Sequence, residues 1–361
     1  MQNSQTLTYN EIPDNDNPAV AANAQSIAFT GSGSEFFGIW IVNILLTAIT
    51  LGIYAAWAKV RTQKYFYNNT LLMNSGFDYT ADPATILKGY IIAAVIFIAV
   101  YGVMFVFPPF AVVVAIAMIL IAPWIIVKSL AFNAKHSVYR GIRFKFNEDF
   151  GGAFGTFVGW PLLSGITLGI LGPMAVQRQH RFIVNNHSYG QSPFTFHAGV
   201  GGYYYIVLMF LLIMATLLIP VALMSIAPLM ADRAVARIED LSPVILVTAV
   251  LMAAIYLYAL AYVQAAMVNL VWSNIRNGSS SFSASLKAGK LAWIIFSNLL
   301  LLAITLGLYY PWAKVRMLRY KLNQTAFTAG ENMDHVVAAE HKKQSALGEG
   351  MGEMFDIDVG F

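Results

Sequence analysis

The chain has 361 residues, of which 58% are hydrophobic and 11% charged, and it carries a net charge of +4. About a quarter of a typical soluble domain is charged, so the composition excludes that class and points to a bilayer. Cysteine is absent, which removes disulfides, thiolate nucleophiles, cysteine-held metals and cysteine lipidation.

Residues 1–26 are polar, with Asp14, Asp16, Pro13 and Pro18, and read as a disordered tail without the basic start of a signal peptide. Ile27–Phe29 is a short candidate strand before the glycines Gly31 and Gly33. An apolar arm, Phe36–Ile49, is interrupted by Thr50-Leu51-Gly52, and an amphipathic helix follows over Tyr54–Asn69. Phe77-Asp78-Tyr79 alternates as a strand does. Tyr90–Phe107 and Ala111–Val127 hold no charge, approach the roughly 20 residues a crossing helix needs, and meet across Pro108-Pro109 as a hairpin.

The basic connector Lys128, Lys135, Arg140, Arg143 and Lys145 ends in the alternating Phe144-Lys145-Phe146. A second apolar arm, Phe154–Ile166, breaks at Thr167-Leu168-Gly169 and continues as a basic helix to Asn185-Asn186. Phe194-Thr195-Phe196 alternates again. Tyr203–Ile226 and Val244–Val271, charge-free, read as a second membrane hairpin joined by the polar loop Ala231–Ser242. From Phe282 a third arm leads through Thr305-Leu306-Gly307 into a last basic helix ending near Asn323. An acidic tail closes the sequence.

The three interrupted arms are copies. Adding 117 or 255 to the numbers of the first gives the second and the third without gaps, and residues 43–61 share 14 of 19 identities with 298–316. The predicted class is therefore an all-α multi-pass integral membrane protein. Three internal repeat units at 27–69, 144–186 and 282–324, each a re-entrant or bent helix plus a basic amphipathic helix, alternate with helical hairpins at 86–132 and 202–272. The membrane domain spans 27–325, and 326–361 form the acidic C-terminal tail.

The repeated positions lie three and four residues apart, on one helix face. In the first unit that face carries Trp57, Arg61, Lys64 and Tyr65; in the third it carries Trp312, Arg316, Arg319 and Tyr320; the second keeps Arg178 and Arg181. Tryptophan and tyrosine favour the membrane interface and basic groups reach lipid phosphates, so these ten residues are candidate contacts to lipid headgroups. The expected partner is the bilayer itself, with anionic phospholipid. The candidate helix-break turns are Thr50 and Gly52, Thr167 and Gly169, and Thr305 and Gly307.

Charge orders the topology. If each unit were one full span, unit two would be inverted relative to its copies, leaving 17 of 22 Lys and Arg inside. If each unit turns at Thr-Leu-Gly and leaves on the side it came from, 20 of 22 are cytoplasmic, in better accord with the positive-inside rule. The lack of Lys or Arg in residues 1–58 argues the other way.

No Asp or Glu lies within an apolar run, which removes the commonest proton-relay device. The six histidines include no metal-spaced pair, and no nucleophile elbow, phosphate loop or dinucleotide fingerprint is present. The sequence nominates no catalytic residue, no cofactor, no metal and no nucleic-acid partner. The reading that follows is a non-enzymatic permease-like protein for a small solute or lipid, or alternatively a membrane-organising protein that grips anionic lipid.

The motif Thr-Leu-Gly-Ile-Tyr-x-x-Trp-Ala-Lys-Val-Arg at 50–61, followed by Tyr65 and Asn68-Asn69-Thr70, resembles the YjgN-like family of bacterial inner membrane proteins, over roughly residues 27–325. Unit two departs from the motif, lacking its Tyr, Trp and Lys. The resemblance implies a multi-pass protein of the cytoplasmic membrane and brings no catalytic residue with it; the same-side topology favoured by the charges puts both termini in the cytoplasm.

Overall fold

A computed structural model describes residues 24–219, 221–222 and 238–330, with Ala24 and 238–245 described by backbone alone. It corrects the all-α expectation. Eleven short strands form one antiparallel sheet: β1 (Ala24–Ser26), β2 (Ala28–Phe29), β3 (Thr70–Leu72), β4 (Ser75–Tyr79), β5 (Ser137–Tyr139), β6 (Ile142–Phe146), β7 (His187–Tyr189), β8 (Ser192–Phe196), β9 (Ile275–Asn277), β10 (Ser280–Ala284) and β11 (Thr325–Thr328). The order runs β1-β11-β10 and on down to β3-β2. Its two ends are consecutive in the chain, parted only by Ile27, whose N–H donates to the Thr325 carbonyl at 3.1 Å. The sheet is therefore a nearly closed ring. Closure leaves no long edge with unpaired backbone groups.

Among the described residues ten helices rise from it. They are α1 (Gly33–Ile49), α2 (Ala55–Asn68), α3 (Pro83–Val106), α4 (Phe110–His136), α5 (Phe150–Ile166, with one π-turn at Gly155–Gly159), α6 (Gly172–Asn185), α7 (Val200–Ala215), α8 (Ile238–Trp272), α9 (Ala288–Ile304) and α10 (Tyr310–Asn323). Each packs on the helix before and after it, and α10 packs on α1. The helices thus close in the same circle as the strands.

The antiparallel alternation fixes direction. β2, β4, β6, β8 and β10 each run into a helix after three residues, and β3, β5, β7, β9 and β11 each receive one. Neighbouring strands point opposite ways, so all five helix pairs leave from one edge of the β-ring and the tight β-turns lie on the other. The side chains of Phe29, Tyr79, Phe146, Phe196 and Ala284, at the helix edge of each outgoing strand, each join a separate hydrophobic cluster with the helices above.

Why the strands escaped a purely helical reading is physical. Most are three to five residues long, too short for a periodic signal to compete with the long apolar helices beside them. The alternating Phe-x-Phe triplets and Ile27–Phe29 were the visible half, the C-terminal halves of outgoing strands. The returning strands, such as Thr70-Leu71-Leu72 and His187-Ser188-Tyr189, lack that alternation. Ala24–Ser26, assigned from sequence to a tail, is β1; residues 1–23 and 331–361 lie outside the described residues.

The membrane count also changes. Among the described residues three helices are long and apolar enough to cross a bilayer: Pro83–Val106, Phe110–His136 and Leu246–Trp272. Of the fourth expected span, Tyr203–Ile226, the described helix is the 16-residue α7, and part of the remainder lies outside the described residues.

Tyrosine hydroxyls brace the β-ring across strands. Tyr139 donates to the Leu72 carbonyl at 2.7 Å and Tyr189 to the Tyr139 carbonyl at 3.0 Å, both buried. Removing either hydroxyl forfeits one buried hydrogen bond, at about 1 kcal/mol. Tyr139→Phe and Tyr189→Phe should each lower the melting temperature in detergent, and the pair should lower it further; unchanged melting in both would remove the hydroxyls from the ring's support.

Candidate functional site

Alternation along the strands sends two tiers of side chains into the β-ring. One tier is Phe77, Phe144, Phe194, Phe282 and Ile27, from the outgoing strands and the β1–β2 join; the other is Leu72, Tyr139, Tyr189, Asn277 and Phe327, from the returning strands. All ten line a cavity of about 330 Å³ at the centre, with Trp272 and Leu322 from the helix edge. Phe77 stacks on Tyr139 at 4.7 Å, Phe144 on Phe194 at 6.3 Å, and Phe282 meets Phe327 at 4.9 Å. A second cavity of about 350 Å³ shares Thr70, Phe77, Phe144 and His187 with the first and reaches the ends of α2 and α4 through Tyr67, Asn133 and Ser137. The bore is thus an apolar chamber with one polar flank.

Two histidines lie near it. The His187 Nδ1–H donates to the Ile183 carbonyl at 2.7 Å, and His180 Nδ1 lies 2.8 Å from the Tyr203 hydroxyl. Burial lowers the pKa of both, the carbonyl partner opposing this at His187. The Tyr189 phenol is pushed up by burial and by Tyr139 beside it. The lowered pKa favours the neutral imidazole in both, and of the two His187 lines the chamber. Among the described residues no three His, Asp or Glu side chains gather as a metal site.

The three Thr-Leu-Gly breaks adopt one geometry. Thr50, Thr167 and Thr305 each end a helix; each hydroxyl donates back to the carbonyl four residues earlier, at 2.6–2.9 Å, and accepts the N–H four residues on, at 3.0–3.2 Å. The leucines are left-handed at φ of 50°, 52° and 50°, followed by Gly52, Gly169 and Gly307 at 96°, 88° and 92°. No atom lies near enough to exclude a side chain from these glycines; backbone conformation alone requires them. Leu51, Leu168 and Leu306 are 95%, 93% and 93% exposed. Ile49, Ile166 and Ile304 beside them are exposed as well.

The candidate headgroup contacts divide. Trp57, Arg61, Lys64 and Arg181 are exposed, with Trp57 stacked on Tyr54 at 6.2 Å. Arg178 is partly buried over the Trp160 ring at 5.4 Å. In the third unit all four side chains find partners within the protein, though Arg319 stays exposed. Arg316 donates to the Ser297 hydroxyl and Asn298 Oδ1 at 2.8 and 3.2 Å; Arg319 donates to the Gly31 carbonyl at 2.7 Å; Tyr320 is buried and exchanges hydrogen bonds with the Lys287 backbone. Trp312 packs on Phe37 at 5.0 Å. Tyr65 donates to the Ser32 carbonyl and Glu35 at 2.8 and 3.1 Å; burial and then the Glu35 carboxylate push its pKa to about 12. Periodicity found the right helix face but could not show that the interface of the first and third units claims Trp312 and Arg319, or that Arg316, Tyr320 and Tyr65 bond within their own units. It also passed over Lys59 and Lys314, which line grooves.

Three helices of membrane-crossing length and apolarity rooted in a β-ring define a helical membrane protein of mixed α and β structure. The family model described as "Bacterial protein of unknown function (DUF898)" matches residues 24–354, and the chain belongs to that family. It is YjgN-like: it is 24% identical over 346 residues to the "Inner membrane protein YjgN" of Salmonella typhimurium, covering 83% of this chain and 87% of that one. It is 27% identical over 147 residues to the protein of the same name in Escherichia coli O157:H7, covering 40% of this chain and 37% of that one. No solved structure matches the chain.

Acid should loosen the structure. Because burial depresses the pKa of His180 and His187, the unfolded chain binds protons at a higher pH than the folded one. The stability they confer is complete above the ordinary histidine value of about 6.5 and is lost as pH falls below it. Melting temperature should fall between pH 7.5 and pH 5 (about the range that brackets that value), and His180→Gln/His187→Gln should shrink the fall. An equal fall in the variant would assign it to other groups.

Proposed function

We propose that the protein is a multi-pass permease-like carrier of the bacterial inner membrane, built on a triplicated unit, that moves a small apolar or amphipathic molecule through the β-ring bore. One observation carries this: the cavity of about 330 Å³ is lined by side chains from all four β-hairpins, from β11 and from the β1–β2 join, inside the circle in which the helices close. An apolar constriction of this kind passes water and ions poorly while accepting an alkyl chain or apolar ring. The polar flank at Thr70, Asn133, Ser137 and His187 suits the polar end of such a molecule. The function assigned is binding and passage, without a covalent step.

In this reading the β-ring lies in the cytoplasm with both termini, the long helices cross the bilayer, and the three Thr-Leu-Gly turns dip into it and return. Lengths support that. The 17-residue arm α1 reaches about 25 Å, short of a hydrocarbon core of about 30 Å. Arg61 follows Gly52 by nine residues, about 14 Å along a helix, so an Arg61 at the interface sets the exposed Leu51 near the bilayer centre. The names of the relatives, inner membrane proteins, support the address.

A second reading has its own support: Trp57, Arg61, Lys64 and Arg181 are exposed and suit a protein that organises anionic phospholipid at the interface.

Two experiments test these proposals. Cysteines at 75, 190 and 280 should all label from the cytoplasmic side, and cysteines replacing Leu51, Leu168 and Leu306 should resist an impermeant reagent from both sides. Labelling of 190 or 280 from outside would end the common-side topology. In liposomes the protein should release at least one member of a panel of small apolar solutes and short-chain lipids. Phe144→Trp/Phe194→Trp, which narrows the bore, should slow release about tenfold, equivalent to 1.4 kcal/mol of barrier; equal rates would move the path out of the β-ring.

A further inference from the structure

The matching positions of the three short units have diverged at one point. Asn43, Trp160 and Asn298 correspond, as do Arg61, Arg178 and Arg316. In the third unit Arg316 donates to Asn298 Oδ1 at 3.2 Å, and in the second Arg178 lies over Trp160 at 5.4 Å. The first unit breaks the pattern. Arg61 is exposed, Asn43 is 6% exposed, and its Nδ2 donates to the Ala58 carbonyl and the Thr62 hydroxyl, each at 3.3 Å. Asn43 Oδ1 is buried and accepts no hydrogen bond.

Asn43 itself lines a groove. A cavity of about 640 Å³ runs along α1 and α2, lined by Asn43, Thr47, Lys59, Thr62 and Gln63, with Lys314 entering from α10. No carboxylate lines it. Neither lysine forms an ion pair among the described residues, where the pair is Lys128 with Glu148. Lys314 is held from behind by aromatic faces, its Nζ 4.5 Å from the centre of Phe66, 5.4 Å from Phe36 and 5.9 Å from Tyr310. These faces fix the ammonium without neutralising it. The groove therefore offers two cations and several neutral hydrogen-bonding groups, and one of its lining residues, Asn43, keeps a buried acceptor without a partner.

A bare anion satisfies the lysines and leaves the asparagine unmet. An apolar ligand satisfies neither. A phosphate ester bearing a hydroxyl or ammonium donor satisfies both, with phosphate oxygens toward Lys59 and Lys314 and the donor toward Asn43 Oδ1. Asn43 lies ten residues into α1, about 15 Å beyond the β-ring edge, where the membrane reading puts the headgroup layer. We infer that the groove between α1, α2 and α10 binds a phosphate ester carrying a hydrogen-bond donor, the chemistry shared by ethanolamine and glycerol phospholipid headgroups and by soluble glycerol phosphates. The lipid source rests on the membrane reading, which labelling at 75, 190 and 280 tests separately.

The full chain, purified in detergent, is exchanged into mixed micelles with phosphatidylethanolamine, phosphatidylglycerol or phosphatidylcholine, and bound lipid is counted by native mass spectrometry. The parent should hold the first two about tenfold better than phosphatidylcholine, whose quaternary headgroup has no donor. Lys59→Gln/Lys314→Gln should lose that retention about tenfold while melting like the parent. Asn43→Leu should hold all three lipids alike. Displacement by glycerol phosphate identifies a soluble ester as the ligand, and resistance to it identifies the lipid. If the double variant fails to fold, Lys59→Gln, at an exposed side chain, is read against the same outcomes. Parent-like retention in a folded lysine variant, or equal retention of phosphatidylcholine by the parent, overturns the site.

Discussion

Closure of the β-ring is the constraint on which the rest depends. Eleven strands, most of three to five residues, could not hold a sheet with free edges in place. Joined almost end to end they satisfy one another, and the bond from Ile27 to Thr325 carries the ladder across the gap between β1 and β2. Once the ring closes with antiparallel neighbours, the direction of every helix is settled. Five outgoing strands share one edge, so five helix pairs share one side whatever their length or charge. Pairs as unlike as the 24- and 27-residue α3–α4 and the 17- and 14-residue α1–α2 stand side by side because the β-ring, not the helices, orients them.

The same frame explains the strain at the tips. A leucine in left-handed conformation costs roughly 1 kcal/mol, and here it occurs three times with the side chain almost fully exposed. In water that would be a loss twice over, in strain and in apolar surface. Each threonine offsets part of it by joining the end of one helix to the start of the next with one hydroxyl. Apolar surroundings recover the remainder, since a buried leucine gains about 1.5–3 kcal/mol over an exposed one. The exposed leucines of the tips suit the membrane placement proposed for them.

Much of this was written plainly in the sequence and some was not. Thr-Leu-Gly could be read as a reversal because glycine after a helix-ending threonine has a known backbone consequence, and the structure places a turn at each copy. The Phe-x-Phe triplets were visible as strands, but their partners Thr70-Leu71-Leu72 and Ile275-Arg276-Asn277 gain strand character only from neighbours distant in sequence. A ring is a property of pairing, which periodicity along one segment cannot carry. The basic-aromatic face was legible in the same limited way. Spacing put Arg61 and Arg316 on equivalent faces, but it could not show that Arg316 is spent on Asn298 within its own unit while Arg61 stays exposed.

That difference shows where specificity arises in a nearly symmetric frame. Equivalent positions in a ring begin with equivalent surroundings, so a bond that satisfies one copy is available to all. The second unit removed the need by placing Trp160 where its copies have asparagine, and its arginine covers the indole instead. The third unit met the need with Arg316. The first kept the asparagine, turned the arginine outward and left the acceptor buried. Retaining such a group lowers stability unless something occupies it, because its desolvation is not recovered within the protein. The first unit is therefore one place where the closed circle departs from self-sufficiency, beside the buried Arg178 Nε of the second, and in the first the lysines of the groove have the sign to hold an anionic ligand.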